Sequence, residues 1–317
     1  MATPREVLTE IPKEVLSKVS REVQAFSYVH FYVEDAKYWS EWFCEYLEFK
    51  LIESSINHLT HTEIVQQGTI QIRLSEAKST LSPVADYLTK HPPGIAEVGL
   101  TASGATLGSD FDSFILTSPN CDLKYHLLPR LKTEAPKYSL FSHIDHLVIN
   151  LPEGTLEQTA DWYEQVLGLS ISDRFNIQTN RSGLKSLVLE NGDRQVQIPL
   201  NQPSNQNSQV QEFLDFNRGA GVQHLALYTD QIEQTVDILK SRGVKFLETS
   251  PPILYEKQDH SGKGILQIFT LPIFNQPTFF FEIIQRIEGA KGFGAGNFQA
   301  LFEAIEQQQI SRTKLSR

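Results

Sequence analysis

Two textures alternate along the chain. Helix-period stretches place apolar residues three and four apart: Trp39, Trp42, Phe43 and Leu47; Trp162, Tyr163, Val166 and Leu167; and 230–240, which stops at Ser241-Arg242-Gly243. Between them lie short apolar runs of β-favouring residues. The order strand, helix, several strands occurs twice, beginning at Phe26-Ser27-Tyr28-Val29-His30 and again at Phe141-Ser142-His143-Ile144-Asp145-His146. Later segments match too: Pro93–Leu100 with Gly219–Leu227, and Leu123–Arg130 with Phe279–Arg286. Internal repetition of this kind signals duplicated architecture. The second half contains a further cycle, in which the 230–240 helix leads into an expected strand Val244-Lys245-Phe246-Leu247. The fold class is therefore α+β, with strand–helix–strand modules whose sheets curl around a cavity in each half. The divisions are an amphipathic helical lead-in at 1–25, a first domain at 26–135, and a second at 136–317 that ends in a closing helix. A Lys- and Pro-containing linker near 131–138 separates the two domains.

Three of the apolar runs carry a polar intruder: His146 in Ile144–Ile149, His224 in Val222–Leu227, and Glu282 in Phe279–Arg286. Taken singly, a histidine on an apolar strand is more often a core residue with a backbone partner, and a lone glutamate pairs with Lys or Arg. An unpaired buried carboxylate is costly and needs a cation. Two histidines and one glutamate on separate buried strands are the ingredients of a facial triad, which holds a divalent metal such as Fe(II) and leaves positions open for substrate and oxygen. His30, Glu97 and His126 stand at what reads as the matching places of the first half, most simply as a hydrogen-bonded remnant of duplication and alternatively as a second metal site.

Composition narrows the classes. The 317 residues carry a formal charge of −10, which argues against a nucleic-acid binder, since phosphate affinity needs clustered Lys and Arg. Two cysteines, Cys44 and Cys121, do not make a disulfide framework. No apolar run is long enough to span a membrane, and no signal or transit peptide is evident at the start. A cytoplasmic location is expected. The glycine cluster Gly292-Phe293-Gly294-Ala295-Gly296 lacks the preceding strand of a nucleotide-binding loop and reads instead as a hinge before the closing helix.

The second half resembles the 4-hydroxyphenylpyruvate dioxygenase family of the vicinal oxygen chelate superfamily. The resemblance rests on Ile144-Asp145-His146, Pro199–Pro203, Ser208–Gln211, Gly219–His224, Leu266–Thr270, Glu282–Arg286 and Gly292–Phe298, in that order. It extends over residues 26 to about 307, more loosely in the first half. It implies two vicinal-oxygen-chelate barrel-like domains of βαβββ type, the first non-catalytic and the second holding one Fe(II) on His146, His224 and Glu282. It further implies catalytic or pocket polar roles for Ser186, Asn201, Gln209 and Gln267, and substrate contacts from Gln223, Phe269, Phe280, Phe293, Asn297 and Phe298, with Phe302 adding to the wall.

The implied reaction converts 4-hydroxyphenylpyruvate and O2 to homogentisate and CO2, a step of tyrosine degradation. The expected partners are an aromatic α-keto acid and O2, without nucleic acid or membrane, and the chain is expected to be a homo-oligomer, dimer or tetramer. The alternatives are a 4-hydroxymandelate synthase acting on the same substrate, and a metal-free small-molecule binding protein on the same scaffold. The 247–266 stretch departs from the family, which usually carries a longer helical insertion there.

Overall fold

The computed structural model of the protein describes residues 22–103, 115–129, 139–257 and 262–315. Nearly all of the expected lead-in, and the 131–138 boundary, lie outside the described residues. The first half runs β1 (Val23–Tyr32), α1 (Ala36–Leu47), β2 (Lys50–Ile56), β3 (Thr60–Gln67), β4 (Ile70–Ala77), α2 (Pro83–Lys90), β5 (Gly94–Ala102), β6 (Ile115–Thr117) and β7 (Lys124–Leu128). The second runs β8 (Ile144–Asn150), α3 (Leu156–Leu167), β9 (Ser170–Gln178), β10 (Gly183–Glu190), β11 (Gln197–Pro203), α4 (Gln209–Asn217), β12 (Gly221–Tyr228), α5 (Ile232–Ser241), β13 (Leu254–Lys257), β14 (Gly264–Phe269), β15 (Phe280–Ile287) and α6 (Ala295–Leu315). The α+β expectation and the duplication both hold. One mixed sheet has the order β2-β3-β4-β1-β5-β7-β6, the other β13-β14-β15-β12-β8-β11-β10-β9.

Local chemistry explains the helix ends. Asp35 accepts from the Tyr38 N–H at the start of α1, and Ser208 from that of Val210 at the start of α4, satisfying N–H groups that a helix leaves orphaned. Gly168 closes α3 in the left-handed region, at φ 68°.

Strand alternation sorts side chains between two destinations. On β8, Leu147 and Ile149 enter the main core while His146 and Val148 line a cavity. Phe279, just before β15, and Phe281 and Ile283 on it enter that core, and Glu282 points the other way, into the cavity. The core is continuous across the two halves. Phe31 of β1 meets Phe279 edge-on at 5.1 Å, Phe43 of α1 meets Phe281 at 5.8 Å, and the buried hydroxyls of Tyr125 and Tyr163 are 2.9 Å apart.

Two expectations are corrected. Residues 244–247 form no strand: Phe246 makes a single bridge to Thr270, because its would-be partner β14 ends at Phe269 and Pro272 follows shortly after. The duplication is also offset at β1. Ala226 lies opposite both His146 and Glu282, and the equivalent Gly99 lies opposite Tyr28 and His126. Tyr28 therefore takes the His146 register, and His30 takes that of Val148. Glu97 and His126 do match His224 and Glu282, each pair sharing its place in the ladder.

The shared core makes Phe281→Ala a test of coupling between the halves. The expected cost is about 3–5 kcal/mol, as for other buried Phe truncations. Urea unfolding followed by tryptophan fluorescence and by circular dichroism should still give one coincident transition; two separated transitions would show that the halves fold independently.

Candidate metal centre

His146 stands on β8, Glu282 on β15, and His224 on β12, the strand that pairs with both. The pairing brings them together without any loop. All three are buried, and one ligand atom from each lies within 4.8 Å of the others. Glu282 Oε2 is 3.3 Å from His146 Nε2 and 3.4 Å from His224 Nε2. Among the described residues this is the one such group of His, Cys, Asp and Glu.

The surroundings fix how the imidazoles face. His146 Nδ1 lies 2.8 Å from Asp145 Oδ1, and His224 Nδ1 lies 3.1 Å from Gln223 Oε1. Gln223 donates its amide N–H to Gln209 Oε1, so the Gln223 oxygen is the atom facing His224. Both Nδ1 protons are thus given outward. In neutral imidazoles this turns both Nε2 lone pairs toward Glu282, so three acceptors converge. That is a poor arrangement for a closed polar network and a good one for a divalent cation. The donor set, two neutral imidazoles and one carboxylate with outer-shell partners on each imidazole, is what a divalent transition metal takes.

Without a cation the charges settle otherwise. Burial works against protonation of His146, yet the Glu282 and Asp145 carboxylates outweigh it and raise its pKa to about 9. Burial pushes the Glu282 carboxyl up, and the two imidazoles more than offset this and hold it at about 2. Burial keeps His224 below its usual value. Asp145, although buried, stays well below the usual carboxylate range because Arg286 grips it through Nε and Nη2, both at 2.7 Å. Arg286 Nη1 also donates to the Gly292 carbonyl at 2.7 Å, tying this outer shell to the glycine-rich hinge.

A cavity of about 30 Å³ opens on the triad. Its lining includes Asn201, Gln267, Phe269, Phe293 and Phe298. Gln267 is engaged at both ends of its amide: its Nε2 donates to Glu282 Oε1 at 2.8 Å, and its Oε1 accepts from Asn297 Nδ2 at 2.7 Å. Gln209, Gln223 and Phe280 line a second cavity of the same size. The Phe280 ring divides the two, stacked on His224 at 4.8 Å and edge-on to Phe269 at 6.2 Å. Phe302 is wholly buried in the main core rather than on the wall.

Ser186 lies opposite Asn201, and Asn201 opposite Asn150. Ser186 Oγ, Asn201 Oδ1 and Asn150 Nδ2 are buried without a hydrogen-bond partner. Asn150 is not among the residues expected from the sequence, and it ends β8. Its signal is parity: it stands two and four residues beyond Val148 and His146, on the same face of β8.

The first-half cluster is centred on the Glu97 carboxylate, with His126 Nε2 at ion-pair distance but without a hydrogen bond. Glu97 Oε2 meets His30 Nδ1 at 3.0 Å and His126 Nε2 at 3.4 Å, and Oε1 accepts from Tyr32 at 2.7 Å. His30 Nε2 is 2.7 Å from Ser75 Oγ, and Tyr28 lies under the Arg73 guanidinium at 3.6 Å.

Comparison with known proteins agrees with this geometry. Residues 143–258 match the model of the Glyoxalase/Bleomycin resistance protein/Dioxygenase superfamily. An uncharacterised protein of Synechocystis is 34% identical over 89% of this chain and 97% of its own length. The 4-hydroxyphenylpyruvate dioxygenase of Caenorhabditis elegans is 30% identical over 92% of this chain and 93% of its own. The chain belongs to the 4-hydroxyphenylpyruvate dioxygenase family. It is a dioxygenase-type enzyme of the vicinal oxygen chelate superfamily. Among solved structures, a mutant of 4-hydroxymandelate synthase from Streptomyces coelicolor superposes with a TM-score of 0.80 at 26% identity, over 90% of this chain and 99% of that one. No helix among the described residues is long and apolar enough to cross a membrane.

Metal binding must displace the His146 proton. With the free-protein pKa near 9, Fe(II) or Co(II) affinity should fall about tenfold per pH unit below that value and level off above it. Anaerobic titrations from pH 6 to 10 measure this. A flat profile would mean that the proton does not compete and that the metal sits elsewhere.

Proposed function

We propose that the protein is an Fe(II)-dependent dioxygenase that converts 4-hydroxyphenylpyruvate and O2 to homogentisate and CO2. The observation that carries this reading is the convergence of three buried acceptors, His146 Nε2, His224 Nε2 and Glu282 Oε2, inside an apolar pocket. These residues would hold the iron. When bound, the iron supplies a centre at which the keto acid chelates and dioxygen is activated, the keto acid providing electrons as it loses CO2. Membership of a family whose relatives carry this activity supports the substrate class.

The protein's own residues supply position and dryness. Asp145 and Gln223 hold the two imidazoles in one tautomer and orientation. Gln267 donates to Glu282 Oε1, leaving Oε2 as the atom that faces both histidines. Phe269, Phe293 and Phe298 form aromatic walls suited to a phenyl ring. Beyond them, the unpartnered atoms of Asn150, Ser186 and Asn201 offer one N–H donor and two oxygen acceptors to a phenol, without the cost of burying a charge. The first half is assigned no catalytic part: Tyr28 stands where the second half has His146, and Glu97 is met by His30 and Tyr32.

The 4-hydroxymandelate synthase superposition favours a second reading: the same substrate and metal, with oxidation at the benzylic carbon. The two products are isomers, so chromatography against standards must separate them. Anaerobic loading with Fe(II), then keto acid and oxygen, should give homogentisate. 4-Hydroxymandelate would select the second reading, and no metal binding would reject both.

Asn150→Ala should raise the KM for 4-hydroxyphenylpyruvate about tenfold, the loss of one good hydrogen bond to a buried group. The KM for phenylpyruvate, which has no phenol, should change little. Equal effects on the two substrates would remove Asn150 from phenol recognition.

A further inference from the structure

The triad cavity, at about 30 Å³, has room for about one water, whereas pockets for organic ligands run to roughly 300–1,000 Å³. Substrate entry therefore requires a wall to move. Most walls are strands locked in the sheet. The exception is the 292–301 segment, where Phe293, Phe298 and Leu301 close the cavity from the hinge and the first turns of α6.

The start of α6 is held in an unusual way. Phe298 N–H donates to the Gly294 carbonyl, which makes Gly294 the capping position, and glycine has no side chain with which to cap. The cap comes instead from β13. Glu256 Oε2 accepts from the Gly296 N–H at 2.6 Å and the Asn297 N–H at 3.1 Å. A Cβ at Gly294 or at Gly296 would sit 3.1 Å from that oxygen, and Gly294 also has a φ of +66°. Both glycines thus serve the approach of this carboxylate. A negative group at a helix N-terminus also gains from the helix dipole.

The same turn reaches the metal centre. Asn297, whose N–H is held by Glu256, donates its side-chain amide to Gln267 Oε1, and Gln267 donates to Glu282 Oε1. Asn297 also donates to the Ile265 carbonyl at 3.2 Å. A continuous line of hydrogen bonds therefore runs from the pocket mouth to the carboxylate of the triad.

We propose that Glu256 is a positioning residue: a latch supplied from β13 that holds α6 closed over the pocket and, through Asn297 and Gln267, sets the orientation of Glu282. This deepens the function proposed above and rests on it for the identity of the pocket. Because β13 lies in the shortened 247–266 stretch, the short segment retains a specific task, that of fastening the lid.

The test uses the full chain with Glu256→Ala, Glu256→Asp and the near-isosteric Glu256→Gln. Hydrogen exchange of the Gly296 and Asn297 amides should speed up about tenfold in Glu256→Ala, the usual scale for a lost cap, with α3 exchange unchanged. Glu256→Asp, one methylene too short, should follow Ala, and Glu256→Gln, which keeps an acceptor but no charge, should be intermediate. With Fe(II) and 4-hydroxyphenylpyruvate, the Ala variant should show KM raised about tenfold and kcat within about threefold. Unchanged exchange at the start of α6, or equal acceleration in α3 and α6, would overturn the latch. The exchange arm needs no turnover, so it decides the latch even if the wild type forms neither product and the functional reading fails.

Discussion

A carboxylate on a buried strand is the constraint around which the second half is arranged. Glu282 stands between Phe281 and Ile283, both committed to the shared core, so it can leave the cavity only if β15 leaves the sheet. Its charge must be met where it stands. Two imidazoles meet Oε2, the Gln267 amide meets Oε1, and each imidazole is in turn held from behind. Arg286, four residues along the same strand, pairs with the Asp145 carboxylate that holds His146. The two acids and the arginine thus bracket one histidine.

The first half shows the same scaffold with the problem solved differently. Glu97 occupies the register of His224, and His126 that of Glu282, so the carboxylate and one imidazole have exchanged strands. Tyr28 fills the third position, covered by Arg73. The carboxylate there is held well below its usual range: burial would raise it, and His126, His30 and the Tyr32 hydroxyl more than compensate. Each cup holds a glutamate, buried at Glu282 and half-buried at Glu97, and the difference lies in where the partners' remaining valences go. His30 spends its second nitrogen on Ser75, whereas His146 and His224 spend theirs outward and keep Nε2 free to face the pocket.

How much of this could be read from the sequence follows from how local each signal is. The triad was legible because each member interrupts an otherwise apolar strand, and the duplication because β5 and β7 repeat the pattern of β12 and β15 residue for residue. The offset of β1 was not legible. Phe26-Ser27 invites alignment with Phe141-Ser142, yet ladder pairing puts Phe26 opposite Leu100 where Ile144 lies opposite Leu227. Irregular registers on both strands decide that count, and no spacing rule reveals them. Residues 244–247 have strand composition but too little partner backbone to pair with. Glu256 gave no signal, since its partners are backbone N–H groups forty residues away, and backbone carries no residue identity.

Dryness and access make opposite demands on such a site. Exclusion of water strengthens every charge interaction around Glu282 and protects reactive species, while a cavity of about 30 Å³ admits no aromatic acid. Placing the candidate ligands on three paired strands lets the β8, β12 and β15 registers bring them together, and leaves the lid only the fine orientation of the carboxylate. The first turn of the lid can then be marginal. It is fastened by a cap and a few aromatic contacts, such as Phe298 on Phe175 and Phe293 on His146, and breaking these costs far less than disturbing a ladder, while further along α6 Phe302 sits in the main core and Glu306 accepts from Thr179 and Ser182. What the lid does reach is Glu282 Oε1, through Asn297 and Gln267, while Oε2 faces the histidines. Closure can therefore adjust how firmly the carboxylate is oriented without being needed to assemble the site.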